Sequence, residues 1–224
     1  MSLFSVIIRT KNEENWIGHC IQSVLDHFDR PEIIIIDNGS VDETVQIANS
    51  FKKNNTLSNK SKTNYTNIKV FNLKDYTPGK SLNYGVKKSS NQNILIISAH
   101  CVIKKINIKS SLKNLNKYKG IFGNQDPIWK GKRITKRYIW SHFSNKKTEN
   151  MFSNLENRYF FHNAASMFKK TSLKKLPFDE SLSGKEDRYW ANKIAKLKLK
   201  YLYDPEFSVE HHYTVNGSTW KGLG

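Results

Sequence analysis

The apolar positions of the chain fall into short β-branched runs separated by stretches of helical periodicity. Ile33–Ile36 places four isoleucines in a row before Asp37-Asn38-Gly39. A run without polar alternation reads as a strand covered on both faces, the condition of a parallel sheet. Leu3–Ile8 and Ile94–Ile97 have the same character, and Ile68–Leu73 is a weaker version. Between the first two strands, Trp16, Ile17, Cys20, Ile21, Val24 and Leu25 recur at helical spacing, with Asn12 as the expected cap. Ser40 and Glu43 have capping-box spacing and predict a helix to about Phe51. After Pro78-Gly79, Lys80–Ser89 predicts a helix with Leu82 and Val86 on its inner side. Strands alternating with helices predict an α/β fold with a mostly parallel, doubly wound sheet.

The second half is less regular. Ile106–Leu115 reads as a helix, Gly120–Gly123 as a short strand and Phe160–Phe168 as a strand. Gln125–Asn150 is basic and aromatic with weak periodicity, so it is expected to be surface loop or short helices. Ser183 and Glu186 repeat the capping-box spacing before a helix in which Trp190, Ala191, Ile194 and Leu197 share a face. Tyr201–Tyr203 and Phe207–Val209 are expected as closing strands. Lys52–Asn67 is a polar tract with almost nothing to bury, expected as a loop within one domain. The organisation expected is a single domain, 1–224. Residues 1–103 form its regular half, and 104–224 its irregular half.

Charge adds one constraint. Lys and Arg number 37 against 19 Asp and Glu, a net +18. That favours anionic partners, although abundant Lys, Asn and Ile together are also what an AT-rich genome would encode. No recognition motif accompanies the charge, so nucleic acid is not an expected partner. Cys20 and Cys101 have no metal-site spacing, and a chain of this size needs no disulfide. No apolar run approaches the ~18 residues of a membrane span, and the first strand starts almost at Met1. A cytoplasmic protein is expected, with peripheral contact at the inner face of the membrane as an option.

Three strand ends carry polar groups: Arg9-Thr10 with Glu13, Asp37, and Ser98-Ala99-His100. In a parallel sheet these ends form one crevice, where such folds bind ligands. A dinucleotide-binding Rossmann domain would need a glycine-rich turn after the first strand, and Arg9-Thr10-Lys11-Asn12-Glu13-Glu14 has none.

In order along the chain, Ser5–Glu14, Ile34–Thr44, Gly79–Gly85, Ser98–Cys101, Gly123–Pro127, His162–Ala165 and Gly184-Lys185-Glu186-Asp187 resemble the family 2 inverting glycosyltransferases of the GT-A fold. The likeness is to a bacterial branch that builds surface polysaccharides or glycolipids. It implies a nucleotide-diphosphate sugar donor and a glycan or lipid-linked acceptor, with 1–103 as the nucleotide-binding half and 104–224 as the acceptor-binding and catalytic half. Carried over residue by residue, it implies that Thr10, Glu13 and Asp37 hold the nucleoside. Lys80 and Asn83 would meet the diphosphate, joined by Ser98 and His100. Asp187 would be the general base, with Glu186 as its neighbour and stand-in.

The departure is Ser98-Ala99-His100, where most of the family has Asp-x-Asp. His100 with His211 could hold Mn²⁺, or less readily Mg²⁺. The alternative is metal-free catalysis, with His100 and Lys80 meeting the phosphates directly. His212, adjacent on the same strand, should point to the opposite face. A catalytically silent nucleotide- or glycan-binding relative is the competing function. Trp129–Arg133 through Trp140 is expected at the surface, facing an anionic acceptor or membrane.

Overall fold

The isoleucine runs become the centre of a ten-stranded mixed sheet in this computed structural model, which describes residues 3–53, 67–217 and 219–220. In chain order the elements are β1 (Phe4–Thr10), α1 (Ile17–His27), β2 (Glu32–Asp37), α2 (Thr44–Lys53), β3 (Asn67–Asn72), α3 (Pro78–Lys88), β4 (Asn93–Ser98), β5 (Cys101–Lys105), α4 (Ile108–Lys117) and β6 (Ile121–Trp129). Four two-residue strands follow, β7 (Lys132–Arg133), β8 (Thr148–Glu149), β9 (Phe152–Ser153) and β10 (Arg158–Tyr159), with a 3-10 turn over Tyr138–His142. The chain ends with β11 (Ala165–Lys169), α5 (Lys170–Lys175), α6 (Glu186–Lys196) and β12 (Leu202–His212). The order across the sheet is β3-β2-β1-β4-β11-β6-β12-β5. β3, β2, β1 and β4 are parallel, whereas β11 runs antiparallel to both β4 and β6, and β5 antiparallel to β12.

Both faces of the sheet are covered, and the side-chain alternation divides the isoleucines between them. Val6, Ile8, Ile33, Ile35, Leu95 and Ile97 pack under α1, α2 and α4. Ile7, Ile34, Ile36, Ile94 and Ile96 pack under α3, α5 and α6, together with Trp190 and Phe168. This is why the runs show no polar alternation.

Several local expectations are corrected. Neither capping box forms. Ser40 instead accepts from the Asn12 amide, and α2 begins at Thr44, whose amide donates to Asp42. Asn12 does not cap α1; its backbone is left-handed and its side chain accepts from Val41 N. Ahead of α6, Lys185 adopts a left-handed conformation without a side-chain cap, and Glu186 bonds across to Arg9. The strand placed at 160–168 is confined to Ala165–Lys169, while Gly120–Gly123 extends to Trp129. The two closing strands are one continuous β12, irregular between Asp204 and Ser208. Leu197 lies at the end of α6 and is exposed. Trp140 is not at the surface: it and Phe143 are buried, packed against Trp220, while Trp129 and Lys130–Arg133 remain outside. Most of the polar tract, residues 54–66, lies outside the described residues.

Two polar clusters fix the frame. At the N-terminal end of β2, buried Glu32 accepts from Ser5 Oγ at 2.5 Å, Ser90 N at 2.7 Å and Lys69 Nζ at 2.9 Å. Burial alone would raise its pKa, but these donors hold it down at about 2. At the start of α3, Thr77 caps the helix and donates to Glu180 O, and the Asn83 carboxamide bonds Phe178 O, Phe178 N and Glu180 Oε1. Gly79 allows that approach, because a Cβ there would meet Asp179 O at 2.1 Å.

Each cluster yields a test. Glu32 is depressed in the folded state, so its stabilisation is present above its unfolded pKa near 4.5 and is lost as pH falls from there through about 2. Glu32→Gln should therefore cost ~2 kcal/mol at pH 7, in urea unfolding, and the gap from the parent should shrink by about half by pH 3 and close only near pH 2; a gap as large at pH 3 as at pH 7 would contradict the assignment. Asn83→Ala should lower the melting temperature by about 3–8 °C through loss of the clamp on Phe178–Glu180, while nucleotide affinity stays within about threefold.

Candidate active site

The carboxyl ends of β1, β2 and β4 lie side by side, as register pairs Thr10 with Asp37 and Arg9 with Ser98. The alternation that divides the core also divides these groups. Thr10 and Asp37 continue the rows that face α1 and α2, and Arg9 and Ser98 continue those that face α6. The two loops leaving β1 and β2 are laced together. Asn12 N donates to Ser40 Oγ, Glu13 N to Thr44 Oγ1, Glu14 N to Asp42 Oδ2, Val41 N to Asn12 Oδ1 and Glu43 N to Glu14 Oε2. Asp37 closes this lattice by accepting from Ser40 N at 3.0 Å and Ser40 Oγ at 2.5 Å. Each carboxylate oxygen keeps a further lone pair.

Glu13 begins a buried relay. Its Oε1 takes His100 Nδ1 at 3.0 Å and Thr214 Oγ1 at 3.1 Å. His100 Nε2 lies 3.0 Å from His211 Nε2, and His211 Nδ1 lies 2.8 Å from Gln125 Oε1. His211 is buried, with Trp140 edge-on to its ring at 4.8 Å. Burial, then the neighbouring His100 and His162, push its pKa well below the ordinary histidine value. The His211 ring is therefore neutral, and two ring nitrogens 3.0 Å apart can share one cation with bonds of about 2.1 Å. The donor set fits a divalent ion. Cys101 Sγ also lies within 4.8 Å of these ring nitrogens, but its thiol is buried among apolar groups and its pKa is raised well above normal, so it stays protonated.

On the α6 side, Arg9 Nη1 donates to Glu186 Oε1 at 2.8 Å, tying β1 to the start of the helix. Asp187 is buried and accepts from Asn163 N at 3.1 Å, Arg188 N at 2.9 Å and Arg188 Nη1 at 3.0 Å. Burial opposes its charge, but Arg188, His162 and the Asn163 amide outweigh that and lower its pKa. The reverse holds for Glu186, raised chiefly by burial and also by Asp187, against the pull of Arg9. His162 neighbours both groups without bonding to either. Its ring centroid is 6.2 Å from that of His211, and burial followed by the Arg188 charge lowers its pKa to about 3.

Thr10, Glu13, Asp37, Ser98, His100 and His211 thus meet at the strand ends, as expected from the sequence. Lys80 lies at the first turn of α3, its Nζ 3.6 Å from the exposed Asp75. Asn83 is turned toward Phe178–Glu180, with its carboxamide fully engaged there. His212 faces away from His211, stacked on Trp16 at 3.9 Å beside a surface cleft of about 520 Å³. Arg9, Gln125, Asn163 and Arg188 enter the site without having been singled out individually. Gln125 and Asn163 sat inside the Gly123–Pro127 and His162–Ala165 stretches, each beside another polar residue, so neither stood out from its neighbours.

Five site atoms are buried without a partner: Thr10 Oγ1, Glu13 Oε2, Gln125 Nε2, Asn163 Nδ2 and Arg188 Nε. Unmatched polar groups converging on one crevice are open valences for a ligand.

The comparisons with known proteins agree on the fold. S. aureus TarS (residues 1–349, in complex with UDP-GlcNAc) superposes with a TM-score of 0.69 at 20% identity, over 96% of this chain and 59% of that one. GalNAc-T7, with UDP, GalNAc and Mn²⁺, gives 0.69 at 18% identity over 97% and 44%. Among curated proteins, the minor teichoic acid biosynthesis protein GgaA of Bacillus subtilis is 35% identical over 98 residues, 42% of this chain and 20% of the relative. A Methanococcus voltae dolichyl N-acetyl-alpha-D-glucosaminyl phosphate 3-beta-D-2,3-diacetamido-2,3-dideoxy-beta-D-glucuronosyltransferase is 27% identical over 123 residues, 53% and 36%. The chain thus spans between a fifth and about a third of these curated relatives. The family model of Glycosyl transferase family 2 matches residues 5–177, and with the GT-A fold and the laced strand ends already described, the chain belongs to that family.

Proposed function

We propose that this chain is an inverting glycosyltransferase domain. It moves a sugar from a nucleoside-diphosphate donor to a hydroxyl of a glycan or lipid-linked acceptor in surface-polymer or glycolipid synthesis. The observation that carries the reading is a buried, ionised Asp187 at the start of α6, the helix end that the Arg9–Glu186 ion pair ties to β1 and so to the strand-end cluster of Thr10, Glu13, Asp37, Ser98 and His100. A carboxylate base and a polar crevice with open valences are the two parts that displacement at a sugar carbon requires. The UDP-GlcNAc complex of TarS and the UDP complex of GalNAc-T7 support a uridine donor, and the likeness to the minor teichoic acid biosynthesis protein GgaA supports a surface-polymer acceptor.

In this mechanism the nucleoside lies over Thr10, Glu13 and Asp37, where Thr10 Oγ1 and Glu13 Oε2 gain the partners they lack. The acceptor oxygen bonds to the anomeric carbon on one face as the carbon–oxygen bond to the diphosphate breaks on the other. The hydroxyl proton passes to Asp187, and the electron pair leaves with the diphosphate. Arg188 and the Asn163 amide keep Asp187 ionised and oriented. Glu186 holds Arg9, and through it fixes α6 against β1. Lys80, on the partly exposed start of α3, can turn from Asp75 to the leaving diphosphate. His100 and His211 would hold Mn²⁺ or Mg²⁺, and when bound the ion neutralises developing charge on the diphosphate. No helix among the described residues is long and apolar enough to cross a membrane. Catalysis is assigned to the cytoplasmic face, with exposed Trp129, Lys130, Lys132 and Arg133 toward an anionic acceptor or membrane.

The two halves of the mechanism separate experimentally. Asp37→Ala should weaken UDP binding by about 1.5–3 kcal/mol in calorimetry, the cost of a charge-assisted bond. Asp187→Asn should leave UDP affinity near that of the parent while sugar transfer falls by about 10²–10⁴-fold. If Asp187→Asn transfers normally, Asp187 is not the base; if the parent binds UDP and shows neither donor hydrolysis nor transfer over a panel of acceptors, the domain is a silent binding module.

A further inference from the structure

Gln125 is fully buried, and its carboxamide meets only one of the groups it needs. Oε1 lies 2.8 Å from His211 Nδ1, whereas Nε2 has no partner. The consequence runs along the relay. The Glu13 carboxylate can only accept, so the neutral form of His100 carries its proton on Nδ1 and turns a lone pair outward on Nε2. With Oε1 of Gln125 as acceptor, His211 likewise carries its proton on Nδ1, and its Nε2 lone pair faces that of His100 at 3.0 Å. Two lone pairs opposed at that distance repel unless a cation receives both. Rotating the carboxamide by a half turn exchanges its oxygen and nitrogen without changing its shape. Gln125 Nε2 then donates to His211 Nδ1, His211 carries its proton on Nε2, and that proton bonds to His100 Nε2. The relay is then closed without any ion.

We infer that Gln125 is a tautomer-setting positioning residue. One orientation of its carboxamide holds the empty histidine pair in a hydrogen-bonded form, and the other presents both Nε2 lone pairs to a divalent cation. Glu13 has no such freedom, which makes His100 the fixed member of the pair and His211 the one that is switched. A glutamate at position 125 would have been acceptor-only and would hold the pair open at all times. The inference rests on the reading of His100 and His211 as the cation-binding pair, and it assigns to Gln125 a role through His211, not on the substrate.

The test uses the purified chain with Zn²⁺ as a diamagnetic probe, without donor or acceptor. Long-range ¹⁵N–¹H spectra of the imidazoles distinguish the two tautomers directly. In the parent, metal-free His211 should be protonated on Nε2 and His100 on Nδ1; on adding Zn²⁺, His211 should change to Nδ1-protonated as both Nε2 signals shift on coordination. Gln125→Glu should show the Nδ1 form of His211 before any metal is added, and should bind Zn²⁺ more tightly by about 10-fold or more in calorimetry. Gln125→Met, similar in volume and unable to hydrogen bond, should bind it about 10–100-fold more weakly. A parent in which metal-free His211 is already protonated on Nδ1 overturns the inference and needs no variant to fold. So does Zn²⁺ affinity that stays within twofold in both variants, with melting temperatures confirming that they are folded. UDP affinity measured on the parent sample keeps the outcomes apart: a parent that binds UDP but shows no tautomer change defeats the Gln125 inference alone, and one that changes tautomer but binds no UDP defeats the transferase reading.

Discussion

Everything in this site depends on the register of β1 between β2 and β4. Side chains alternate across a strand, so a slip of one residue would exchange the two faces of the sheet. Thr10 would then leave the α1 and α2 face it shares with Asp37, and Arg9 would lose Glu186. The isoleucines hold the register from below. Ile7 packs with Ile34 and Ile96 on one face, while Val6 and Ile8 pack with Ile33, Ile35 and Ile97 on the other. Each buried aliphatic side chain contributes about 1.5–3 kcal/mol, so exchange of faces is prevented many times over. The cost of exposing the core is what fixes the polar strand ends to within one residue.

Against that frame of aliphatic packing, the site concentrates charge where the fold alone would avoid it. Arg9 with Glu186, and Arg188 with Asp187 and Glu156, are ion pairs removed from water. Such pairs add little net stability, since desolvation consumes most of the Coulomb gain, yet losing one partner is costly. Their local effect is electrostatic sorting. Two buried guanidinium groups keep Asp187 ionised and His162 neutral, because the same positive charge that favours a carboxylate disfavours an imidazolium. The net +18 of the chain plays no part in this balance, which is set by a few groups within hydrogen-bonding reach.

The parallel half was legible in the sequence because its signal was thermodynamic: four consecutive isoleucines admit few environments other than a doubly covered strand. The same holds for the convergence of Thr10, Glu13, Asp37 and His100, which follows from parallel strands ending together. Capping patterns failed for a physical reason. Ser40, Asp42, Glu43 and Thr44 are short polar residues that can satisfy amides of their own helix or of a neighbouring loop, and a second loop at Asn12–Glu14 was available to compete. Spacing cannot see that competitor. Trp140 was misplaced because Lys136 and Arg137 beside it gave its stretch a surface composition, whereas a 3-10 turn folds its ring under His211 and Trp220. Gln125 was invisible as an individual inside the polar triplet Asn124-Gln125-Asp126, and Arg9, noted only as part of a polar strand end, carried no sign of its partner Glu186 across the sheet.

The proposal that Asp187, in preference to Glu186, is the base turns on what each carboxylate is already doing. Glu186 is bound to Arg9, and protonating it would break the ion pair that joins β1 to α6. Its raised pKa makes it the stronger base in isolation, but using that basicity would loosen the frame. Asp187 is held by three donors, and a lowered pKa makes it a weaker base that is always in the charged form at neutral pH. Weakness is tolerable in this reaction. As the acceptor oxygen bonds to the anomeric carbon it becomes positively charged, and its proton turns far more acidic than that of a free alcohol, so a modest base suffices if it is ionised and close. What the site must supply is position and charge, and the Asn163 amide and Arg188 provide both, while the unpartnered Asn163 Nδ2 beside them remains free to orient an acceptor hydroxyl.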